Sequence, residues 1–376
     1  MSAPTTLHVS STEKNYLVQL DGLRFLAVTL VMLDHWLGEH VRLPLGYFGV
    51  NLFFVLSGFL ITRILITSKA TDDRLGRGHG HSLRQFYIRR SLRIFPVYYL
   101  TLLVLAAVGF PAVREHLGWF LTYTQNLWIA LHQTWFGAVD HLWSLAVEEQ
   151  FYLFFPFLVL FTPARYLPHL LGGLVALAVL VRLYLFLTGA AWMVQFVLMP
   201  TCLDAFGLGG VLAWLLVRHR DRFAAIAGNA GLLALSLGLY GLDLYFLKTL
   251  EPARNLFTDV VDRFLTSVFC FFLIGGAVVG YGGALRWLLE NRVSSYLGRI
   301  SYGLYLFHNL VFNYYHTPAD YPTLRAWNRL AALLPDALVH PLTQVLFFYG
   351  LTVTVAACSW SILEKPINSL KDRFAY

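Results

Sequence analysis

YLVQLDGLRFLAVTLVMLDHWL, residues 16–37, is a stretch of 22 mostly apolar residues that also carries Asp21, Arg24, Asp34 and His35. About 20 apolar residues cross the hydrocarbon core of a bilayer as a helix. A cleavable export signal has a shorter, uncharged apolar stretch, so this run reads as a span that keeps its charges. Such charges are expensive in a membrane and face a cavity or a partner. Arg24 and His35 are eleven residues apart. Eleven steps of ~100° fall within about 20° of three full turns, which puts both on one side of the helix, roughly 16 Å apart along its axis. One stripe therefore holds a guanidinium near the inner third and an imidazole near the outer end. Asp21, three residues before Arg24, can pair with it. Asp34 is rotated about 100° from His35 and is poorly placed to orient that ring. The plainer reading of the stripe is a snorkelling arginine with an interfacial histidine.

The rest of the chain agrees with a membrane solvent. Of 376 residues 57% are apolar and 13% charged, about half the ~25% charged share of soluble proteins. That composition excludes disorder and leaves too little polar surface for an ordinary soluble enzyme. Ten apolar runs are expected to span, at 17–38, 47–67, 93–112, 143–163, 167–187, 194–217, 226–247, 264–282, 300–316 and 341–363. A weaker run, 117–131, is broken by Tyr123, Gln125 and Asn126 and reads as interfacial or re-entrant. With the N-terminus inside, inner segments hold 18 Lys and Arg against 6 in outer ones, as the positive-inside rule requires. The net charge of +7 is then a topology signal and needs no nucleic acid. The expected organisation is a cytoplasmic tail 1–16, a membrane domain 17–363 and a cytoplasmic tail 364–376, with no cleaved leader. The fold expected is an all-α polytopic membrane protein, about ten transmembrane helices around a central polar cavity.

Cys202, Cys270 and Cys358 lie in apolar runs and read as core residues, without a disulfide framework. His79 and His81 in GRGHGHS resemble a metal tract only superficially, and no metal is expected. The basic stretch SLRQFYIRRSLRIFPVYYL, from Ser82, holds Arg84, Arg89, Arg90 and Arg93. Arg90 and Arg93 share a helical face, and paired guanidiniums offer forked donors to phosphate oxygens; plain anchoring at the inner surface is the alternative. HLWSLAVEEQFYLFFP puts Glu148 and Glu149 near the start of the fourth span, and adjacent carboxylates are expected to send at most one into a cavity. Asp204 and His308 are either interhelical hydrogen-bond partners or substrate contacts. Ser57 and Gly58 allow close approach of a helix or a ligand, but a serine nucleophile needs a base beside it, and no G-x-S-x-G elbow is present.

Taken in order, these pieces resemble the acyltransferase-3 family of integral-membrane O-acyltransferases from Leu20 to about Pro366. LDGLRFLAVTLVMLDH carries the family's Arg, ten residues, then His on Arg24 and His35. GVNLFFVLSGFLIT is similar to the second helix, RRSLRIFPVYY carries R-x-x-R on Arg90 and Arg93, and HLWSLAVEEQFYL is similar to the fourth segment, with Glu148 at the family position. SYGLYLFH and the closing EKP, Glu364 to Pro366, resemble the C-terminal signatures. The resemblance implies transfer of an acyl group, commonly acetyl from acetyl-CoA, to a carbohydrate hydroxyl at a bacterial inner membrane. Typical acceptors are lipopolysaccharide O-antigen, exopolysaccharide, peptidoglycan or a lipid-linked glycan. Some members carry a fused extracytoplasmic SGNH-hydrolase-like domain. This chain reads as a stand-alone member, so the acceptor reaches the membrane core or a separate extracytoplasmic protein helps.

The residues fit that chemistry. The acyl-CoA phosphates are expected at the inner arginines, Arg84, Arg89, Arg90 and Arg93. His35 suits a general base for the sugar hydroxyl, worth about 10²–10⁴-fold. Glu148 either orients His35 or holds the acceptor; Arg24 serves either the thioester oxyanion or the diphosphate; Ser57, Asp204 and His308 are the candidate substrate contacts. A membrane transporter of a glycan or anionic substrate is the alternative function, although such proteins often show duplicated halves and no convincing repeat is visible.

Overall fold

A computed structural model describes residues 17–41, 43–250, 254–335 and 338–374; the tail expected over 1–16 lies outside them. The described residues form helices and no strand. Helices lie over all ten apolar runs: α1 (Val18–Leu37), α2 (Leu45–Arg74), α3 (Gly80–Ala107), α4 (Leu142–Phe161), α5 (Leu167–Leu187), α6 (Leu203–Arg218), α7 (Ala230–Leu250), α8 (Asp262–Val279), α9 (Ser301–Val311) and α10 (Pro341–Ser359). Among the described residues seven segments are long and apolar enough to cross a bilayer, and up to eight if Arg220–Ala227 and α7, bent by 52°, form one broken span. The 20 residues of α1 reach about 30 Å, but they carry Asp21, Arg24 and Asp34. The 11-residue α9 is too short to cross alone; it follows the short helix Arg292–Arg299 after a single intervening residue.

The interrupted run 117–131 forms Leu117–Leu121 and Gln125–His132, neither long enough to span. The polar residues that break it are used: Gln125 Nε2 donates to Leu142 O at 2.7 Å and Asn126 Nδ2 to Val197 O at 3.1 Å.

Lipid tails give apolar helices little hydrophobic reason to associate, so close backbone packing must do it. Glycines of α2 and α6 provide it reciprocally. A Cβ on Gly58 would meet the backbone carbonyl of Phe206, and one on Gly209 that of Val55. Helix α1 lies against α2 the same way, with Gly49 facing Ala27 O, and its start is covered by Gly298, which faces the carbonyl of Asp21. The buried face of α1 is sealed by Ala27, Val28, Val31 and Met32, while Leu153, Phe154 and Phe157 of α4 and Leu180 and Leu187 of α5 point outward, as lipid-facing side chains do. Helices α1, α2, α3, α4 and α9 thereby surround an internal cavity.

Candidate active site

The cavity has a volume of about 260 Å³ and is lined along α2 from Val50 to Ile64, about 21 Å at 1.5 Å per residue. Its lining mixes apolar side chains, among them Phe53, Phe54, Leu60 and Phe86, with Arg24, Arg90, Arg93, Ser57, Glu148 and Glu149. Both adjacent glutamates line it. This corrects the expectation that only one would, because the cavity wraps far enough around α4 to meet side chains about 100° apart.

Three arginines converge here. Arg24 pairs with Asp21 on its own helix, which leaves part of the guanidinium facing the cavity. Arg90 lies over the Tyr152 ring with its guanidinium carbon 4.3 Å from the centroid. Arg93 is exposed to the cavity space. Among the described residues neither Arg90 nor Arg93 forms an ion pair. Arg89 also reaches the wall, but it donates to the carbonyls of Lys371 at 2.8 Å and Phe374 at 3.0 Å, tying α3 to the C-terminal segment. Arg84 is exposed and is not on the cavity wall.

Beside Arg90 runs a short relay. Tyr152 Oη donates to Ser57 Oγ at 2.9 Å, and Ser57 Oγ donates to Glu148 Oε1 at 2.6 Å. The carboxylate that the pattern offered to His35 thus orients Ser57 instead. Ser57 thus has a hydrogen-bond acceptor on α4 that the sequence did not reveal.

Tyr305 and Ser144 also line the cavity, their hydroxyls 2.6 Å apart, and Tyr305 Oη donates to His141 O at 3.0 Å. Beyond them lie three imidazoles. His308 is 5.5 Å from Tyr305 between ring centroids, 4.8 Å from His141 and 5.1 Å from His35. His35 is half-buried and is not a lining residue. The stripe of α1 therefore does not face a single space: Arg24 lines the cavity, and His35 lies outside the lining, beside His308. The phase of one helix was legible in the sequence; the side chains that neighbouring helices insert between two of its turns were not.

Asp204 is elsewhere. It is fully buried and accepts from Arg182 Nη2 at 2.7 Å, and Arg182 also donates to Thr201 O at 2.6 Å and Val260 O at 3.1 Å. This pair joins α5, α6 and the entry to α8, as an interhelical hydrogen-bond partner does, and it is not on the cavity wall. Tyr152, Tyr302, Tyr305 and His141 escaped the sequence reading, since aromatic residues in apolar spans carry no periodic signal. Their one signal was membership of the motifs HLWSLAVEEQFYL, with His141 and Tyr152, and SYGLYLFH, with Tyr302 and Tyr305. Among the described residues no group of three His, Cys, Asp or Glu side chains is placed to hold a metal ion.

Residues 17–363 match the family model described as an acyltransferase domain. The chain is 27% identical to the peptidoglycan O-acetyltransferase OatA of Listeria monocytogenes, over 94% of this chain and 56% of that protein. It is 28% identical to the O-acetyltransferase OatA of Staphylococcus aureus, over 78% of this chain and 50% of that protein. The chain thus spans about half the length of the curated relatives it matches. No solved structure matches it.

Proposed function

The chain belongs to the acyltransferase-3 family, and from that premise we propose that it moves an acetyl group from acetyl-CoA to a hydroxyl of a cell-surface or lipid-linked carbohydrate. The observation that carries this reading is the convergence of Arg24, Arg90 and Arg93 on one cavity that apolar side chains also line. Of these, Arg90 and Arg93 form no ion pair among the described residues, and such guanidiniums in a membrane interior call for an anionic ligand. A CoA thioester supplies phosphates for the forked donors and an extended, mostly apolar arm for the wall of Phe53, Phe54 and Leu60. Lys371 and Arg89 mark the inner end, where a cytosolic donor enters if both termini are cytoplasmic in an inner-membrane protein.

In this reading Arg90 and Arg93 hold the phosphates. Arg24, partly neutralised by Asp21, joins them at the diphosphate, since it lies roughly 16 Å along α1 from His35. The acceptor arrives from the outer side at His35. As the sugar oxygen attacks the acyl carbon, His35 removes its proton; the carbon–sulfur bond breaks, and the thiolate leaves and takes up that proton. Tyr305 lines the cavity beside His308, and its ring must turn aside for acyl carbon and base to meet. Ser57, held by Glu148, is a cavity-side contact for the acyl group, and His308 belongs to the outer level with His35.

The test is chemical. Cells lacking the gene should lose ester-linked acetyl groups from a surface glycan, read by mass spectrometry; the wild-type gene should restore them and His35→Ala at equal membrane abundance should not. A transporter would leave the modification in place and change the amount or location of the glycan, and that result would overturn the enzyme reading.

A further inference from the structure

His308 is fully buried in α9 and does not line the cavity, yet its two ring nitrogens are both engaged. Nδ1 lies 2.6 Å from the Tyr305 carbonyl oxygen. A carbonyl only accepts, so Nδ1 carries the hydrogen and Nε2 of the neutral ring is left as an acceptor. That Nε2 is 3.2 Å from His35 Nδ1, so the hydrogen between the rings belongs to His35. The same His35 Nδ1 lies 2.9 Å from Val31 O, one turn earlier on α1, which makes a three-centre bond from a single N–H. The lone pair of His35 is thereby assigned to Nε2, which forms no hydrogen bond among the described residues and belongs to a ring that is half-buried rather than sealed.

The third imidazole fits the same scheme. His141 Nε2 is 3.3 Å from Leu306 O, so it donates, and its Nδ1 accepts from Asn309 Nδ2 at 3.1 Å. Both nitrogens of His141 are used, and the ring packs edge-on against His308 at 70°. It packs against His308 without competing for Nε2.

We propose that His308 is the positioning residue of His35: by accepting the Nδ1 hydrogen it turns the ring so that bare Nε2 meets the acceptor hydroxyl, and it steadies the ring once Nε2 has taken that proton. The inference rests on the proposed function only in calling Nε2 the working nitrogen; the hydrogen bond stands or falls separately. A neutral imidazole acceptor takes the place an orienting carboxylate would fill, and no carboxylate hydrogen-bonds the His35 ring among the described residues.

The experiment uses the full chain in lipid nanodiscs with ¹⁵N-labelled histidine. Solid-state NMR should show a protonated His35 Nδ1 correlated through the hydrogen bond with an unprotonated His308 Nε2, both signals assigned by their loss in His35→Ala and His308→Ala. A His35 hydrogen on Nε2, or a protonated His308 Nε2, overturns the assignment whatever the activity. Acetyl transfer is then compared in His308→Leu and His308→Gln. Leucine removes the acceptor, and transfer should fall about tenfold or more, part of the roughly 10²–10⁴-fold a general base supplies, with CoA binding unchanged. Glutamine offers a carbonyl oxygen in reach of His35 Nδ1 and should recover much of that loss. Equal transfer in all three proteins would end the positioning role. Absence of transfer in the wild type would instead count against the proposed function, while the spectrum still decides the pair.

Discussion

Removing Arg93 separates donor binding from folding more cleanly than any other change in the cavity. Its guanidinium is exposed to the cavity and forms no ion pair among the described residues, so Arg93→Ala strands no carboxylate. A hydrogen bond from a charged donor contributes about 1.5–3 kcal/mol, and at about 1.4 kcal/mol per tenfold that predicts roughly 10- to 150-fold weaker CoA binding. Arg90 differs. Its cation–π contact with Tyr152 at 4.3 Å contributes about 0.5–2 kcal/mol to the fold, so Arg90→Ala should lower the thermal midpoint as well as the affinity. The double variant should bind CoA about 10²–10⁴-fold more weakly if the two contributions add. Arg93→Lys keeps the charge but loses the fork and should fall between wild type and alanine. Calorimetric titration of CoA into the chain in nanodiscs reads the affinity, and a melting curve checks the fold. Binding within twofold of wild type in a folded Arg93→Ala protein would refute the assignment of this cluster to the donor phosphates.

Three further outcomes follow from the packing and the charges. Asp204→Ala leaves Arg182, 2% exposed, buried without its carboxylate, which costs roughly 3–5 kcal/mol; the variant should disappear from membranes, and Arg182→Met with Asp204→Leu should recover abundance. A well-folded Asp204→Ala protein that has lost only substrate binding would return Asp204 to the site. Gly58→Val places a side chain against the Phe206 carbonyl and should destabilise by about 1–3 kcal/mol as overpacking, seen as a lower melting midpoint in detergent; an unchanged midpoint would mean that α2 and α6 are not in close contact. In the loop after α9, the hydrogen bond to Asp140 at 3.2 Å raises the pKa of His316 above its ordinary value. A raised folded pKa gives stabilisation that is fully present below about pH 6.5 and lost as pH rises through the folded value. Hydrogen-exchange protection across 312–321, taken relative to the intrinsic rate at each pH, should therefore be greater in mild acid than in mild base, and His316→Gln should flatten the difference.

The sequence exposed what depends on one helix at a time. Charge cost and helical phase singled out Arg24 and His35 on α1 and Arg90 and Arg93 on α3, because a 3.6-residue repeat fixes relative direction whatever surrounds it. Gln125 and Asn126 marked a segment that does not cross, because unsatisfied amides are too costly in lipid. Everything that depends on which helix stands opposite was hidden. Glu148 was offered to His35 but meets Ser57, a partner 91 residues away in sequence. Asp204 looked available only because its partner Arg182 lies on a different span. Tyr305, which lines the cavity, and His141, which packs against His308, find these partners only when α4 and α9 are brought side by side.

The central claim is acetyl transfer from a CoA thioester to a sugar hydroxyl with His35 as base. It is tested most directly by reconstituting the chain in lipid vesicles, supplying acetyl-CoA labelled in the acetyl group, and measuring label ester-linked to a glycan acceptor. Transfer by the wild type, falling about 10²–10⁴-fold in His35→Ala with CoA binding intact, is the predicted result. Undiminished transfer by His35→Ala, or label that never leaves CoA in the wild type across the surface glycans of the source cell, would contradict it.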